Sequence, residues 1–456
     1  MTERIQKLRQ QTLKAQPTIS HERAVLLTEF YQSGIPDRVS IPVARAMAFK
    51  YIMEHKKLYL GEGELIVGER GPEPKATPTY PEVCIHSPED LHILNTRPKL
   101  PYKVSEETFR IFEEKVIPFW QGRSMRERIF QEVDPEWKDA YEAGVFTEFL
   151  EQRAPGHTVL DDKIYKKGML DFKKDIEKAI RELDFYNDPE ALDKREELKA
   201  MSIAIDGILI LARRYAELAL ELAEKETNPH RKKELIRIAS NCNWVPAHAP
   251  RDFWEALQYY WFVHVGVITE FNTWDSFNPG RLDQHLFPFY QNDLKEGRFN
   301  KDFIKELLMA FWVKFNNQPA PPKVGVTAQE SNTYTDFALI NLGGVTPEGE
   351  NAVNDLSYLI LDVIEEMRLL QPSSMVQISK KTPDRFLKRA LKIIKTGYGQ
   401  PSIFNTDAII QEMLRMGKDI VDARCGGASG CVETGAFGKE AYFLTGYFNI
   451  PKVLEI

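Results

Sequence analysis

Gly430-Cys431-Val432-Glu433-Thr434-Gly435 is the stretch on which the reading of this chain turns. A thiol sits between glycines, a carboxylate follows two residues on, and the preceding run, Cys425-Gly426-Gly427-Ala428-Ser429, is equally small. Glycine reaches backbone conformations closed to other residues, so such a segment turns tightly and admits a ligand closely. If the segment is extended, its period of two puts Cys431 and Glu433 on one side. One loop then offers a sulfur and a carboxylate to one small molecule. Three roles compete for the thiol. A free cysteine is commonly just a small buried hydrophobe. An acyl-transfer nucleophile needs a histidine within reach and an oxyanion hole, and the neighbouring sequence holds no histidine. Radical chemistry asks the thiol to give up a hydrogen atom, which calls for burial away from water and oxygen and not for a lowered pKa.

Outward from that loop, composition narrows the classes. The chain has 456 residues, 43% hydrophobic and 11% aromatic, enough for a large core. Its net charge of −7 and scattered Lys and Arg leave no basic stripe, so a nucleic-acid partner is not expected. The start, Met1-Thr2-Glu3-Arg4-Ile5-Gln6-Lys7, lacks the apolar core of a signal peptide. The longest apolar stretches, 207–212 and 259–269, are too short to span a bilayer, so no membrane partner and a cytoplasmic location are expected. The four cysteines, Cys84, Cys242, Cys425 and Cys431, form no CxxC pair, and no His or Cys cluster has metal spacing. No metal is expected, and no disulfide framework at this density.

The helical period predicts helices through much of 1–55, then over 105–120, 164–184, 189–227, 229–241, 251–270, 301–316, 352–370, 383–397 and 406–417. Residues 64–68 read as a short strand and 69–104, rich in proline, as loop. Strands are predicted over 337–342, 375–379 and 401–404, alternating with helices as β/α units do.

Three further segments hold groups able to do chemistry. Thr273-Trp274-Asp275-Ser276-Phe277-Asn278-Pro279-Gly280-Arg281 carries a carboxylate between aromatics. Loop carboxylates are usually caps or solvated turn residues, but aromatic flanks make an interior, perturbed Asp275 plausible. The segment 144–156 with His157 after it holds Phe149, ordinarily a core residue, and a histidine that is more often structural than catalytic. Glu330-Ser331-Asn332 is a polar turn before the strand that begins at Phe337.

Gly430-Cys431-Val432-Glu433 resembles the thiyl-radical loop of the glycyl radical enzymes, whose dehydratase and lyase branch carries G-C-x-E as a hallmark. The longer run Ser429-Gly-Cys-Val-Glu-Thr-Gly-Ala-Phe-Gly-Lys-Glu-Ala-Tyr442 is similar to the trans-4-hydroxy-L-proline dehydratases, with Thr434 where choline and glycerol lyases usually have proline. Arg153-Ala-Pro-Gly-His157, Phe315-Asn-Asn-Gln-Pro-Ala-Pro-Pro-Lys323 and Gln377-Ile-Ser-Lys-Lys-Thr-Pro383 extend the resemblance along the chain. It implies an α/β fold: a pyruvate-formate-lyase-like ten-stranded β/α barrel surrounded by helices. Residues 1–456 would be the N-terminal part of one such catalytic domain, a helix-rich region with the first half-barrel and the cysteine loop. No Arg-Val-x-Gly-Tyr loop follows Cys431, and the chain ends at Lys452-Val453-Leu454-Glu455-Ile456 without a polar tail, so a truncated chain, or an inactive one, is expected.

Carried over position by position, the resemblance implies Cys431 as the thiyl-forming residue, Glu433 as its carboxylate partner and Asp275 as a second carboxylate near the substrate amine and hydroxyl. His157 would bond those same groups, Ser331 would hold the substrate carboxylate, and Phe149, Phe337 and Tyr447 would wall the ring. The implied substrate is trans-4-hydroxy-L-proline. The implied cofactor is a glycyl radical on a segment beyond this chain, installed by a radical S-adenosylmethionine activating enzyme, in a homodimer. Diol, choline and isethionate lyases of the same branch remain alternatives. A thiol hydrolase pairing Cys431 with His157 and a non-catalytic helical scaffold are alternatives from other classes.

Overall fold

The computed structural model describes residues 1–148, 150, 158–272, 277–325, 328, 337–442 and 445–456. Helices Glu3–Lys14, Glu22–Gln32 and Ile41–His55 occupy the first region, as the period predicts. Between the first two lies β1 (Thr18–Ser20), which pairs in parallel with β2 (Ala76–Pro78). β3 (Phe146–Glu148) pairs with a strand from the far end of the chain, described below.

The predicted strand at 64–68 does not form. Leu65, Ile66 and Val67 are fully buried, yet among the described residues no strand pairs with them. Side chains of the helix Phe253–Glu270 supply the missing ladder. The indole N–H of Trp254 donates to Leu65 O (2.8 Å), and that of Trp261 to Gly68 O (2.9 Å). Gln258 both accepts from Val67 N (2.9 Å) and donates to Val67 O (2.8 Å). A buried backbone must find partners, and here a helix provides them in place of a sheet. The loop region 69–104 also holds a helix, Pro88–Thr96, opened by a reciprocal cap between Ser87 and Asp90.

The helix Phe253–Glu270 is largely apolar and aromatic, and such a helix belongs in a core. Sixteen of its residues are buried, Trp261 and Phe262 completely. The 35-residue helix Ala191–Lys225 crosses it closely enough that a side chain at Gly266 would run into Ile208. Lys301–Asn316 packs on its other side. Among the described residues, no helix is long and apolar enough to cross a membrane.

A buried ionic cluster lies beside this core. Lys314 is almost fully buried; it donates to Glu64 (3.0 Å) and to Glu69, whose carboxylate also takes bonds from Asn317 and Gln318. Burial works against the ammonium, but Glu64 and Glu69 outweigh it and raise its pKa above the ordinary lysine value. Removing the cation strands two buried carboxylates. Lys314→Met is therefore expected to destabilise the chain by about 3–5 kcal/mol in urea or thermal unfolding. A loss under about 1 kcal/mol contradicts that reading.

The last third turns to β/α units. β4 (Leu339–Gly343) leads through the helix Asp355–Met367 to β5 (Ser373–Ile378), then through Asp384–Ile394 to β6 (Ser402–Asn405). The three strands form one parallel sheet in the order β4-β5-β6, each within two residues of its predicted position. β4 is buried at every position, as parallel strands covered on both faces are, while β6 is the open edge. Helices Thr406–Arg415 and Ile420–Cys425 then deliver the chain to β7 (Gly427–Ser429) and β8 (Glu433–Gly435). β9 (Gly446–Phe448) returns to β3 as its antiparallel partner.

Candidate active site

β7 and β8 form an antiparallel hairpin, with Gly427 opposite Gly435, Ala428 opposite Thr434 and Ser429 opposite Glu433. Gly430, Cys431 and Val432 make its tip. Gly430 has φ +52°, a left-handed conformation that glycine adopts without strain. Cys431 is thus in a turn and not on a strand with Glu433, so the two do not meet through the alternation of an extended segment. They meet because Glu433 opens β8 and folds its carboxylate back. Oε2 accepts from the N–H of Cys431 (2.8 Å) and of Val432 (3.0 Å). Oε1 accepts no hydrogen bond among the described residues and is left for other work.

Of the four cysteines, Cys431 alone is exposed; Cys84 and Cys242 are buried and Cys425 is half-buried. The sealed setting expected for its sulfur is not formed by the described residues, because the hairpin tip stands clear of the sheet and Val432 beside it is 69% exposed. Burial pushes the thiol of Cys425 up, with Arg281 opposing it, so Cys425 stays protonated.

The hairpin is held from below by side-chain amides. Asn341, in the middle of β4, accepts from Ala428 N (3.1 Å) and donates to Ala428 O (2.9 Å), as a neighbouring strand would. Gln377 on β5 donates to Gly426 O (3.1 Å) and to Asn341 Oδ1 (3.3 Å). Asn278 donates to Ser429 Oγ (2.8 Å). Arg281 joins Arg424 O (2.8 Å) to Gly343 O (2.7 Å), tying the approach to the hairpin to the end of β4. Gly427 has to be a glycine here, since a Cβ would meet both Asn341 Oδ1 and Gln377 Nε2. None of these four residues was singled out from sequence for binding the loop. Their partners lie 36 to 151 positions away, and no local pattern marks them.

Phe337 stands two residues before β4, half-buried, with φ +52°, a strained value for an aromatic side chain. Such strain often marks a functional site. Tyr447 lies in β9 opposite Thr147 and is 58% exposed, so among the described residues it stands at a surface and not in a closed wall. Phe149, His157, Asp275 and Ser331 lie outside the described residues. Their flanks are described: Asn278, three positions after Asp275, touches the hairpin through Ser429. No group of His, Cys, Asp or Glu able to hold a metal occurs among the described residues.

Comparison with known proteins gives this hairpin its context. The chain is 58% identical over 454 residues to the trans-4-hydroxy-L-proline dehydratase of Clostridioides difficile, covering 100% of this chain and 57% of that one. It is 32% identical to an isethionate sulfite-lyase of Nitratidesulfovibrio vulgaris, covering 96% and 54%. The crystal structure of the C. difficile hydroxyproline dehydratase with trans-4-hydroxy-L-proline bound superposes with a TM-score of 0.96 at 57% identity, covering 100% of this chain and 57% of that one. The chain thus spans about half the length of the curated relatives it matches. The described helices, the parallel β/α sheet and the cysteine hairpin agree with the fold of these relatives, and the sequence pattern described as pyruvate formate lyase-like matches residues 1–456 throughout: the chain belongs to the pyruvate formate lyase-like family.

Proposed function

We propose that this chain carries the cysteine loop of a glycyl radical dehydratase that converts trans-4-hydroxy-L-proline to 1-pyrroline-5-carboxylate and water. The observation that carries the reading is the hairpin itself: an exposed Cys431 with Glu433 folded against its backbone, in a chain 58% identical to a protein of that name. A glycyl radical, installed by a radical S-adenosylmethionine activating enzyme on a segment beyond Ile456, supplies the one-electron chemistry when present. The exposed tip fits that requirement, because a second segment can reach the sulfur.

Cys431, as thiyl, takes the hydrogen atom from C5 of the ring. Once a carboxylate has taken a proton from the ring ammonium, the freed nitrogen lone pair stabilises the carbon radical. The C4 hydroxyl, next to that radical, leaves as water once a carboxyl shares a proton with it, since hydroxide alone leaves poorly. Cys431 then returns the hydrogen atom to C4, which gives the cyclic imine. The balance is substrate to product plus one water, with no net oxidation. Glu433 and Asp275 are the proposed proton carriers; two carboxyls beside one ammonium and one hydroxyl have their pKa values driven apart, which makes one an acid and one a base. We assign His157 to the same amine and hydroxyl, Ser331 to the substrate carboxylate, and Phe149, Phe337 and Tyr447 to the ring. The assembly is proposed to be a homodimer.

The reading is tested by a substrate panel with anaerobically activated enzyme: trans-4-hydroxy-L-proline, glycerol, choline and isethionate. Turnover of the hydroxyproline alone supports it. Preference for isethionate or a diol overturns the substrate and keeps the family.

A further inference from the structure

The geometry points to Asn341, with Gln377 and Asn278, as positioning residues that set where the Cys431 tip stands relative to the other reacting segments. The role deepens the function proposed above, but its geometry stands apart from any substrate.

The four-way use of Asn341 is the first ground. A side-chain amide has two donor hydrogens and two acceptor lone pairs. Asn341, 0% exposed, engages all of them: Nδ2 donates to Ala428 O (2.9 Å) and Leu339 O (2.9 Å), and Oδ1 accepts from Ala428 N (3.1 Å) and Gln377 Nε2 (3.3 Å). One side chain therefore does for β7 what a flanking strand would do. From its fixed place on β4 the amide holds both backbone groups of Ala428, and so holds β7 at that residue. Within the hairpin Ala428 lies opposite Thr434 and Ser429 opposite Glu433, and the tip between them contains Cys431.

What the clamp joins is the second ground. Asn278 lies three positions after Asp275 and donates to Ser429, two positions before Cys431. Asn341 lies four positions after Phe337. The hairpin that carries the thiol is thereby tied by buried amide bonds to Asn278 and to β4, the strand that follows Phe337. Buried networks of this kind rigidify when fully satisfied and fail sharply when broken. A hydrogen-atom transfer needs its two heavy atoms within contact distance, so a displacement of about 1 Å is costly.

Asn341→Asp keeps the size but replaces the donor hydrogens with an oxygen facing two carbonyls. Hydrogen exchange on the 456-residue chain, read by mass spectrometry, is expected to quicken more than tenfold over residues 426–435 and to stay unchanged over 355–367 and 384–394. Alkylation of Cys431 by iodoacetamide should change with it while that of Cys425 does not. In radical-bearing enzyme, kcat is expected to fall at least tenfold with KM within twofold and radical content unchanged. Gln377→Met and Ser429→Ala, which each remove one edge of the clamp, should give the same local pattern more weakly, and they decide the matter if Asn341→Asp does not fold. Exchange over 426–435 like the parent's, or a rise spread evenly over the whole sheet, overturns the positioning role. Those exchange data involve no turnover, so they fail independently of the hydroxyproline reading, which falls only with the substrate panel.

Discussion

Cys431→Ser is expected to reduce hydroxyproline turnover to background, a loss on the order of 10⁴-fold or more, equal to about 5 kcal/mol or more of barrier. The reason is bond strength. A serine hydroxyl holds its hydrogen too tightly to give it up to a carbon-centred radical, and an oxygen radical is not formed from a glycyl one. Stability should hardly change, within about 0.5 kcal/mol, because the residue is exposed at a hairpin tip and serine suits a turn. Unfolding of the variant and its steady-state rate separate the two effects. Activity above a few per cent of the parent's contradicts the assignment of the sulfur.

Glu433→Gln is expected to cost about 10²- to 10⁴-fold in kcat, the range for losing a positioned proton carrier. The structure makes this a clean substitution. Oε2 of Glu433 accepts from two backbone N–H groups, and the carbonyl oxygen of glutamine can accept the same two bonds. The turn is kept, then, and only the ability to carry a proton is lost. The radical yield after activation should match the parent's, and Cys431 should alkylate at the parent's rate. A kcat within about threefold of the parent's contradicts the role of Glu433 and moves the proton chemistry to Asp275.

Much of the fold was legible because its elements are long and periodic. The 35-residue helix Ala191–Lys225 and the aromatic-rich helix Phe253–Glu270 declare themselves by composition. β4 to β6 are short apolar runs between amphipathic helices, and the alternation alone indicates a parallel sheet. The run 64–68 has that same look but is not a strand. Its hydrogen bonds go to Trp254, Gln258 and Trp261, nearly 200 positions on, and no window around residue 66 reveals this. The site divided in the same way. Cys431 and Glu433 stand out as candidates in a six-residue motif, since glycine marks a tight turn whatever surrounds it. The face-sharing expected of them was wrong in its cause, because Gly430 bends the segment before alternation can act. The hold of Asn341, Gln377 and Asn278 on the hairpin could not be read, although Asn278 and Gln377 lie in segments that stand out in the sequence. An asparagine inside an apolar strand carries no hint of which backbone, 87 residues later, it will hold.

The central claim is a hydrogen atom passing between Cys431 and C5 of the substrate ring. Trans-4-hydroxy-L-proline deuterated at C5, given anaerobically to activated enzyme in ordinary water, tests it most directly. A primary isotope effect on turnover, with label recovered on the carbon that lost its hydroxyl, is the predicted result. Turnover with no isotope effect and no label on the carbon that lost its hydroxyl, or undiminished turnover in air, contradicts it.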